Sequence, residues 1–283
     1  MKVLLHVNYY EGAGKFETLF KLIKTVGADG VELRAKNYYN MGKENYLAMV
    51  EDLKQRNPEL ELAFGYQLCF NTDADTQKKD FEDFVNFLDW AKEKCGTRLM
   101  NMFTDSLVAE GTEYFEFDKN GSAIADDDMF ARHGEGLTRA GNELEKRGML
   151  AGLESHNCYI HDIAKSCAKL LSYVKSPAIG INYDHGNIFL NKNGESIDEV
   201  FELLKGKIYY AHLKNLMRSR DFRYYYATHL EAGHIDTGKV LGLLKNELKS
   251  GIFAVEYACS GDGFIAAKRD IEYVNYLRNW LDF

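Results

Sequence analysis

Four segments of the sequence end in a residue that can bind a metal ion or transfer a proton. Each of these residues follows three or more mostly apolar positions, which is typical of the end of a buried strand. Three carboxylates in one pocket raise one another's pKa values, and a bound divalent cation removes that conflict. Carboxylate oxygens with one imidazole and no thiolate suit Mn²⁺, Mg²⁺, Co²⁺ or Zn²⁺ rather than a structural zinc site. The four residues are Glu154 in GLESH, Asp184 in INYDH, His212 in YYAHLKN and Glu256 in AVEYA.

These residues belong to a chain in which strand-like and helix-like segments alternate. Short apolar runs such as VLLHV and GVELR are followed by segments with helical spacing, among them residues 75–94 and 127–147. Eight such units span the 283 residues, and the alternation predicts parallel strands joined by helices. We therefore predict an α/β fold, a (β/α)8 TIM barrel that forms a single domain over residues 1–283. Its active site would lie at the carboxyl ends of the strands, where the four residues meet.

An open, doubly wound sheet is the alternative fold. Such a sheet normally carries a glycine-rich phosphate-binding turn after its first strand. The segment YYEGAGKFE has its glycines in the wrong pattern for a dinucleotide or P-loop site, which favours the barrel. In the second strand of that barrel, Val31 and Leu33 are expected to face inward.

The composition indicates which binding partners and which cellular compartment to expect. A net charge of -8 and a pI of about 5.6 leave no broad basic surface for nucleic acid. No transmembrane span or signal peptide is recognisable, so we expect no membrane partner. The five cysteines lie far apart and form no CxxC pair, which indicates reduced thiols in a cytoplasmic protein.

At the four strand-end residues Glu154, Asp184, His212 and Glu256, the chain resembles the xylose-isomerase-like barrels that include the tagatose and psicose 3-epimerases. The resemblance covers essentially the whole chain and is strongest over residues 149–260, in the motifs GLESHN, NYDHGN, HLKN, LEAGHID and VEYA. It implies that one divalent metal ion, preferentially Mn²⁺ and otherwise Mg²⁺, Co²⁺ or Zn²⁺, is bound by Glu154, Asp184, His212 and Glu256. It further implies that Glu154 and Glu256 flank the substrate as acid and base.

The resemblance also suggests residues that bind the substrate. Arg218, six residues past His212, falls where the epimerases place an arginine that contacts a substrate oxygen. Many members have a histidine three residues after the strand-six aspartate, but this chain has Asn187 there and His185 beside the aspartate. An asparagine amide can donate a hydrogen bond to an oxyanion but cannot supply a proton.

Other polar residues are weaker candidates for substrate contacts. Glu32 ends the second strand, where a salt bridge is the alternative to a substrate contact. His156 follows Glu154 by two residues and either orients a ligand, contacts substrate or is an ordinary loop histidine. His6 is interpreted as a packed core residue. The histidines assigned to the surface are His133, His161, His229 and His234.

A long segment after the fourth strand, residues 105–128, is expected to be functional because it exceeds the usual length of such connections. We predict a small hairpin turning at Lys119, Asn120 and Gly121. One hypothesis is that the segment covers the barrel mouth as a lid. The alternative is that it makes a packing contact or an oligomer contact.

The expected reaction is metal-dependent isomerisation or epimerisation of a ketose or sugar phosphate, by glutamate-mediated proton transfer through a cis-enediolate. A dehydratase acting on a keto-inositol or a dehydroshikimate-like hydroxy-ketone is the main alternative, because it shares the first step. An AP-endonuclease-like phosphodiesterase and a non-catalytic sugar-binding barrel are further alternatives. The expected partner is a small-molecule carbohydrate, and a homo-oligomer is left open.

Overall fold

The computed structural model describes residues 1–9, 16–36, 41–113, 115–256 and 262–282. Most of the glycine segment YYEGAGKFE and Cys259 lie outside these ranges. The strands are β1 (Lys2–His6), β2 (Gly30–Arg34), β3 (Glu61–Gln67), β4 (Leu99–Phe103), β5 (Leu150–Glu154), β6 (Ile179–Asp184), β7 (Ile208–Leu213), β8 (Asn215–Arg218), β9 (Tyr225–Thr228) and β10 (Ile252–Val255).

Eight of these strands are parallel and close into a barrel in the order β1, β10, β7, β6, β5, β4, β3, β2. The remaining two, β8 and β9, form an antiparallel hairpin. This closed arrangement, with helices around it, confirms the prediction of a single TIM barrel.

The helices predicted over residues 75–94 and 127–147 are present within one residue of those bounds, whereas the short helix that begins at His185 was not predicted. The helices are α1 (Phe16–Val26), α2 (Lys43–Arg56), α3 (Ala74–Cys95), α4 (Asp127–Lys146), α5 (Ala164–Tyr173), α6 (His185–Leu190), α7 (Ile197–Leu203), α8 (Thr237–Glu247) and α9 (Gly263–Trp280). Side-chain caps mark several starts: Asp73 accepts a hydrogen bond from the backbone of Thr76 at α3, and Asp126 from that of Met129 at α4. None of the described helices has the length and apolarity needed to cross a membrane.

The strands direct alternate side chains to opposite faces, and one expectation about these faces is wrong. Val31 and Leu33 pack in the main core between the strands and the helix layer, not inside the barrel. Glu32, between them, points to the barrel axis instead. The reason is that the outer face of each strand is covered by apolar helix faces, whereas the narrow interior holds a small separate cluster: Leu4, Ala63, Leu99, Tyr210, Ile252 and Ala254.

The segment after β4 does not form the predicted hairpin in its described part. It contains two 3-10 turns, Phe117–Lys119 and Gly121–Ile124. The segment forms turns rather than a hairpin because of Asn120, which is fully buried. Its side chain accepts hydrogen bonds from the backbone of Ala109 and the hydroxyl of Thr112, and donates to two backbone carbonyls, so the segment folds onto this amide rather than pairing as strands.

Candidate metal centre

Four neighbouring barrel strands bring the predicted ligands together. Glu154 ends β5, Asp184 ends β6, His212 lies one residue before the end of β7, and Glu256 directly follows β10. Parallel pairing places Asp184 beside His212, and His212 beside Ala254, at the same end of the barrel. Each of the four residues offers a ligand atom, and these atoms all lie within 4.8 Å of one another.

The orientation of His212 fits a metal ligand. Its Nε2–H donates to Oε2 of Glu32 at 2.7 Å, so Nδ1 is the ring nitrogen left to bind a metal ion. Nδ1 is buried and has no hydrogen-bond partner among the described residues, although Oε2 of Glu154 lies 3.3 Å away. One imidazole nitrogen and three carboxylates are a donor set that divalent cations such as Mn²⁺, Mg²⁺ or Zn²⁺ accept, so the residues fit such an ion.

The electrostatics of the centre also favour a cation. Burial raises the pKa of Glu154 to about 7, with the charge of Glu256 adding to the effect and His212 opposing it. Burial likewise raises the pKa of Asp184 to about 6. Burial lowers the pKa of His212, but the charges of Glu32 and Glu154 more than reverse this and hold it well above its usual value. The negative field that raises this pKa is equally a field that attracts a metal ion.

A lysine supplies part of the charge balance within this centre. Lys214 Nζ lies 2.8 Å from Oδ2 of Asp184 and 2.9 Å from Oε2 of Glu256. Burial would raise the pKa of Glu256, but the charges of Lys214 and His212 hold it well below its usual value. Lys214 is not among the residues predicted from the sequence, although its place two residues after His212 in HLKN is a usable signal.

Glu32, predicted to bind substrate, lies behind His212 and is 1% exposed. Its Oε2 also accepts a hydrogen bond from the hydroxyl of Tyr210 at 2.7 Å, and its Oε1 accepts one from the amide of Asn101 at 2.9 Å. Burial opposes ionisation, yet the charges of His212 and His6 lower the pKa of Glu32 to about 2. A carboxylate that holds the second nitrogen of a ligating histidine fixes the tautomer and the ring orientation of that histidine.

Two asparagines hold the carboxylates in place. Asn101 donates to Oε2 of Glu154 at 2.7 Å and accepts from the amide of Asn182 at 2.9 Å. Asn187 donates to Oε1 of Glu154 at 3.2 Å and to Oδ2 of Asp184 at 3.0 Å. Asn187 thus contacts the ligands directly. Asn101 was missed, although its strand period with Leu99 and Phe103 indicates an inward side chain.

Two histidines assigned to the surface are buried, which corrects that prediction. His133 and His161 are both fully buried. His161 Nδ1–H donates to the backbone carbonyl of Glu154, and its Nε2 accepts from the hydroxyl of Thr104 at 3.1 Å. This ring therefore fixes the backbone beneath a metal-centre glutamate. His6 is also buried, as expected, and its ring packs edge-on against His212.

A cavity of about 450 Å³ opens beside the centre. We call it the mouth cavity, and its lining residues are His6, Glu32, Arg34, Lys36, Gly65, Tyr66, Gln67, Phe103, Glu154, His156, Tyr159 and Glu256. His156 Nδ1–H donates to the carbonyl of Asn157 at 3.0 Å, which leaves Nε2 as an acceptor. Its ring packs edge-on against Phe103 and Tyr159.

Two predicted substrate contacts lie elsewhere. Arg218 and His185 line a separate cavity between α6, the start of α7 and the β8–β9 hairpin, which we call the side cavity. The two cavities share no lining residue. The structure therefore brings Glu32 and Asn187 to the metal centre and His156 to the cavity beside it, and sets Arg218 and His185 apart.

The sequence pattern of the family described as "Xylose isomerase-like TIM barrel" matches residues 20–280. The chain belongs to this family. A search of curated proteins finds no match. Among solved structures, this xylose isomerase-like barrel is similar to the probable 3-DHS dehydratase AsbF of Bacillus anthracis, with 18% identity, a TM-score of 0.74, and coverage of 97% of this chain and 99% of that one.

Two further solved structures resemble this xylose isomerase-like barrel equally well. A xylose isomerase-like TIM barrel protein of Mycobacterium smegmatis in complex with magnesium is 15% identical, with a TM-score of 0.75 over 99% of this chain and 97% of that one. A D-psicose 3-epimerase of Clostridium cellulolyticum is 12% identical, with a TM-score of 0.74 over 99% of each chain. At these identities the likeness establishes the shared fold alone.

Proposed function

We propose that this protein is a divalent-metal-dependent isomerase or epimerase of a ketose or sugar phosphate. The observation that carries the proposal is the placement of Glu154 and Glu256. Both belong to the metal-ligand set, both line the mouth cavity, and they come from β5 and from the end of β10, with β6 and β7 between them in the barrel. Two carboxylates at the two ends of the ligand arc can reach a substrate from different sides.

The metal would be held by Glu154, Asp184, His212 and Glu256, with Mn²⁺ proposed first and Mg²⁺, Co²⁺ or Zn²⁺ as alternatives. When bound, a divalent cation polarises carbonyl and hydroxyl oxygens and stabilises negative charge as a C–H bond is broken. The similar barrel of Mycobacterium smegmatis was solved in complex with magnesium, which supports a divalent metal in a barrel of this kind.

The proton transfers are assigned to the two glutamates. One carboxylate removes the proton from the carbon beside the carbonyl, giving a cis-enediolate. Return of a proton to the opposite side of that carbon by the other glutamate inverts it, and return to the neighbouring carbon isomerises the sugar. Asn101 and Asn187 keep the Glu154 carboxylate in one orientation through the bonds described above, which supports proton transfer at a fixed atom.

The mouth cavity supports a carbohydrate of monosaccharide size as substrate. Its volume of about 450 Å³ falls in the range of small-molecule sites. Phe103 and Tyr159 offer apolar faces, whereas Gln67 and His156 offer polar groups. We propose that residues 105–128 act as a lid, since Ser106 in this segment pairs with Tyr159 of the cavity wall.

A dehydratase is the second candidate, because His156 adds a third proton-transfer group to the cavity wall. Its acceptor nitrogen, Nε2, is not used by the bond to Asn157. In a dehydratase, the base that removes the C–H proton returns it to the departing β-hydroxyl, which leaves as water. Nε2 of His156 can act as this base, because burial lowers the pKa of the ring and keeps the nitrogen unprotonated. The similarity in fold to a probable dehydratase supports dehydration as the second candidate reaction.

Mass spectrometry in D₂O tests the proposal. Metal-loaded protein is incubated with free and phosphorylated ketoses, keto-inositols and related hydroxy-ketones. Deuterium uptake without loss of water supports the isomerase or epimerase, and loss of water supports the dehydratase. Binding of these compounds without either change, in metal-loaded protein, would favour a non-catalytic sugar-binding barrel and contradict the proposal.

A further inference from the structure

The side cavity has no role in the proposed reaction. Its volume is about 370 Å³, and it lies outside the barrel mouth. Residues of α6, the turn that follows it, the start of α7 and the β8–β9 hairpin form its walls. Neither of the proposed catalytic glutamates lines it, so any ligand held there would be distinct from a substrate at the metal centre.

Arg218 is held in the wall of this cavity by two aromatic rings. The carbon at the centre of its guanidinium lies 3.8 Å from the centre of the Phe189 ring and 3.7 Å from that of the Phe222 ring. Its side chain also donates to the backbone carbonyl of Phe189. Burial lowers the pKa of this partly buried guanidinium. Because the planar guanidinium is held between two rings, its remaining N–H donors keep fixed directions.

Two histidines add polar groups to the same walls. His185 is 6% exposed, and its Nδ1 is buried without a hydrogen-bond partner among the residues that the structure describes. His234 Nδ1 accepts the backbone N–H of Arg218 at 3.3 Å, so its proton resides on Nε2, which is a donor. The cavity therefore combines the Arg218 guanidinium with a buried nitrogen of His185 that is unpartnered within the described part of the chain.

The other charged residues of the cavity are committed to partners outside it. The carboxylate of Glu195 accepts from the backbone N–H groups of Ala164 and Lys165, at 2.9 and 3.0 Å. The ammonium of Lys192 pairs with Asp118 at 3.2 Å. Among the residues that the structure describes, neither Glu195 nor any other carboxylate forms an ion pair with Arg218, although Glu195 lies in the same cavity wall.

We propose that the side cavity binds a small organic anion, through a carboxylate or phosphate oxyanion held by Arg218. The guanidinium fork matches the planar, bidentate geometry of these groups. Phe189 and Phe222 provide apolar surface for the body of the ligand, and the cavity has the volume of a small-metabolite site. This site is independent of the metal and goes beyond the proposed function.

Calorimetric titration of the metal-free protein tests this site, because no metal ion is then present to bind the anion. Inorganic phosphate and malonate serve as probes, and the probe that binds with the higher affinity identifies the preferred oxyanion. Replacing Arg218 with Gln should weaken binding about tenfold or more. Arg220→Gln, an exposed residue on the same hairpin, is the matched control and should leave binding unchanged.

Arg218→Lys keeps the charge but not the planar fork, so it should fold and still bind more weakly than wild type. The proposal is overturned if wild-type protein releases no heat with either anion, or if Arg218→Gln and Arg218→Lys both bind like wild type. Loss of binding in Lys36→Gln with retention in Arg218→Gln would place the anion in the mouth cavity and would also overturn it.

Discussion

The ammonium of Lys214 lies 2.8 Å from Oδ2 of Asp184, among the atoms that would hold a divalent cation. Its side chain is only 11% exposed, and its second contact is Glu256. In the metal-free protein this lysine therefore supplies the positive charge that two ligands need. A metal ion that binds the same carboxylates must compete with it.

Replacing Lys214 with Met should tighten the binding of Mn²⁺ about tenfold, because the competing charge is removed. The same change should lower the Tm of the metal-free protein, since buried carboxylates then lose their counter-ion. Calorimetric titration and thermal melts measure the two effects. Lys36→Met, which lines the mouth cavity without an ion pair to the four ligands, is the control. Weaker Mn²⁺ binding in Lys214→Met would show that the lysine assists the metal instead.

Changing either Glu154 or Glu256 to Gln should reduce deuterium exchange into the substrate by about 10²- to 10⁴-fold, because each change removes a proton-transfer group. The fold should survive, since Gln has nearly the same shape. Glu61→Gln is the matched control: this carboxylate is also buried but lies at the amino end of β3, paired with Lys2 and Arg98. Exchange at the wild-type rate in both metal-centre variants, each shown to be metal-loaded, would rule out this pair.

Replacing Glu32 with Gln should weaken metal binding about 10- to 100-fold, because the carboxylate that orients His212 is lost. Calorimetric titration with Mn²⁺ and with Zn²⁺ provides the measurement, and Glu61→Gln again controls for loss of a buried charge. If Glu32 instead contacts only the substrate, metal affinity stays constant and KM alone rises.

The acid stability of the metal-free protein should depend on His161. Burial lowers the pKa of His161 to about 3, whereas an unfolded histidine titrates near 6.5. Between these values the unfolded state binds the extra proton, so stability falls as the pH decreases through this window. From pH 6.5 to pH 5 the loss is about 2 kcal/mol. Urea unfolding at both pH values should show a smaller loss in His161→Gln. Equal losses in the two proteins would contradict this assignment.

The barrel itself follows from local sequence features. Short apolar runs alternate with amphipathic segments, and the predicted helices over residues 75–94 and 127–147 are observed as Ala74–Cys95 and Asp127–Lys146. Glu154, Asp184, His212 and Glu256 each follow an apolar run, and parallel strands in one barrel have their carboxyl ends on one side. Their convergence could therefore be predicted without any knowledge of side-chain contacts.

Contacts between distant strands could not be predicted in this way. Glu32 bonds to His212 across 180 positions of the chain, and only closure of the barrel brings β2 and β7 together across its interior. The helices that cover the barrel determine which face of β2 points to the barrel axis. The prediction that Val31 and Leu33 face inward is wrong because these two side chains pack against the helices.

The same limit applies to residues beyond the strand ends. His185 follows Asp184 directly, yet the turn into α6 sends its ring to the side cavity, while Asn187 returns to the ligands. Arg218 stands six residues past His212, but its position depends on how the β8–β9 hairpin packs on α6. The sequence by itself determined the fold and the set of chemical groups at the barrel mouth. Tertiary packing decided which of those groups face the candidate metal centre, which hold its side chains in place and which face a different cavity.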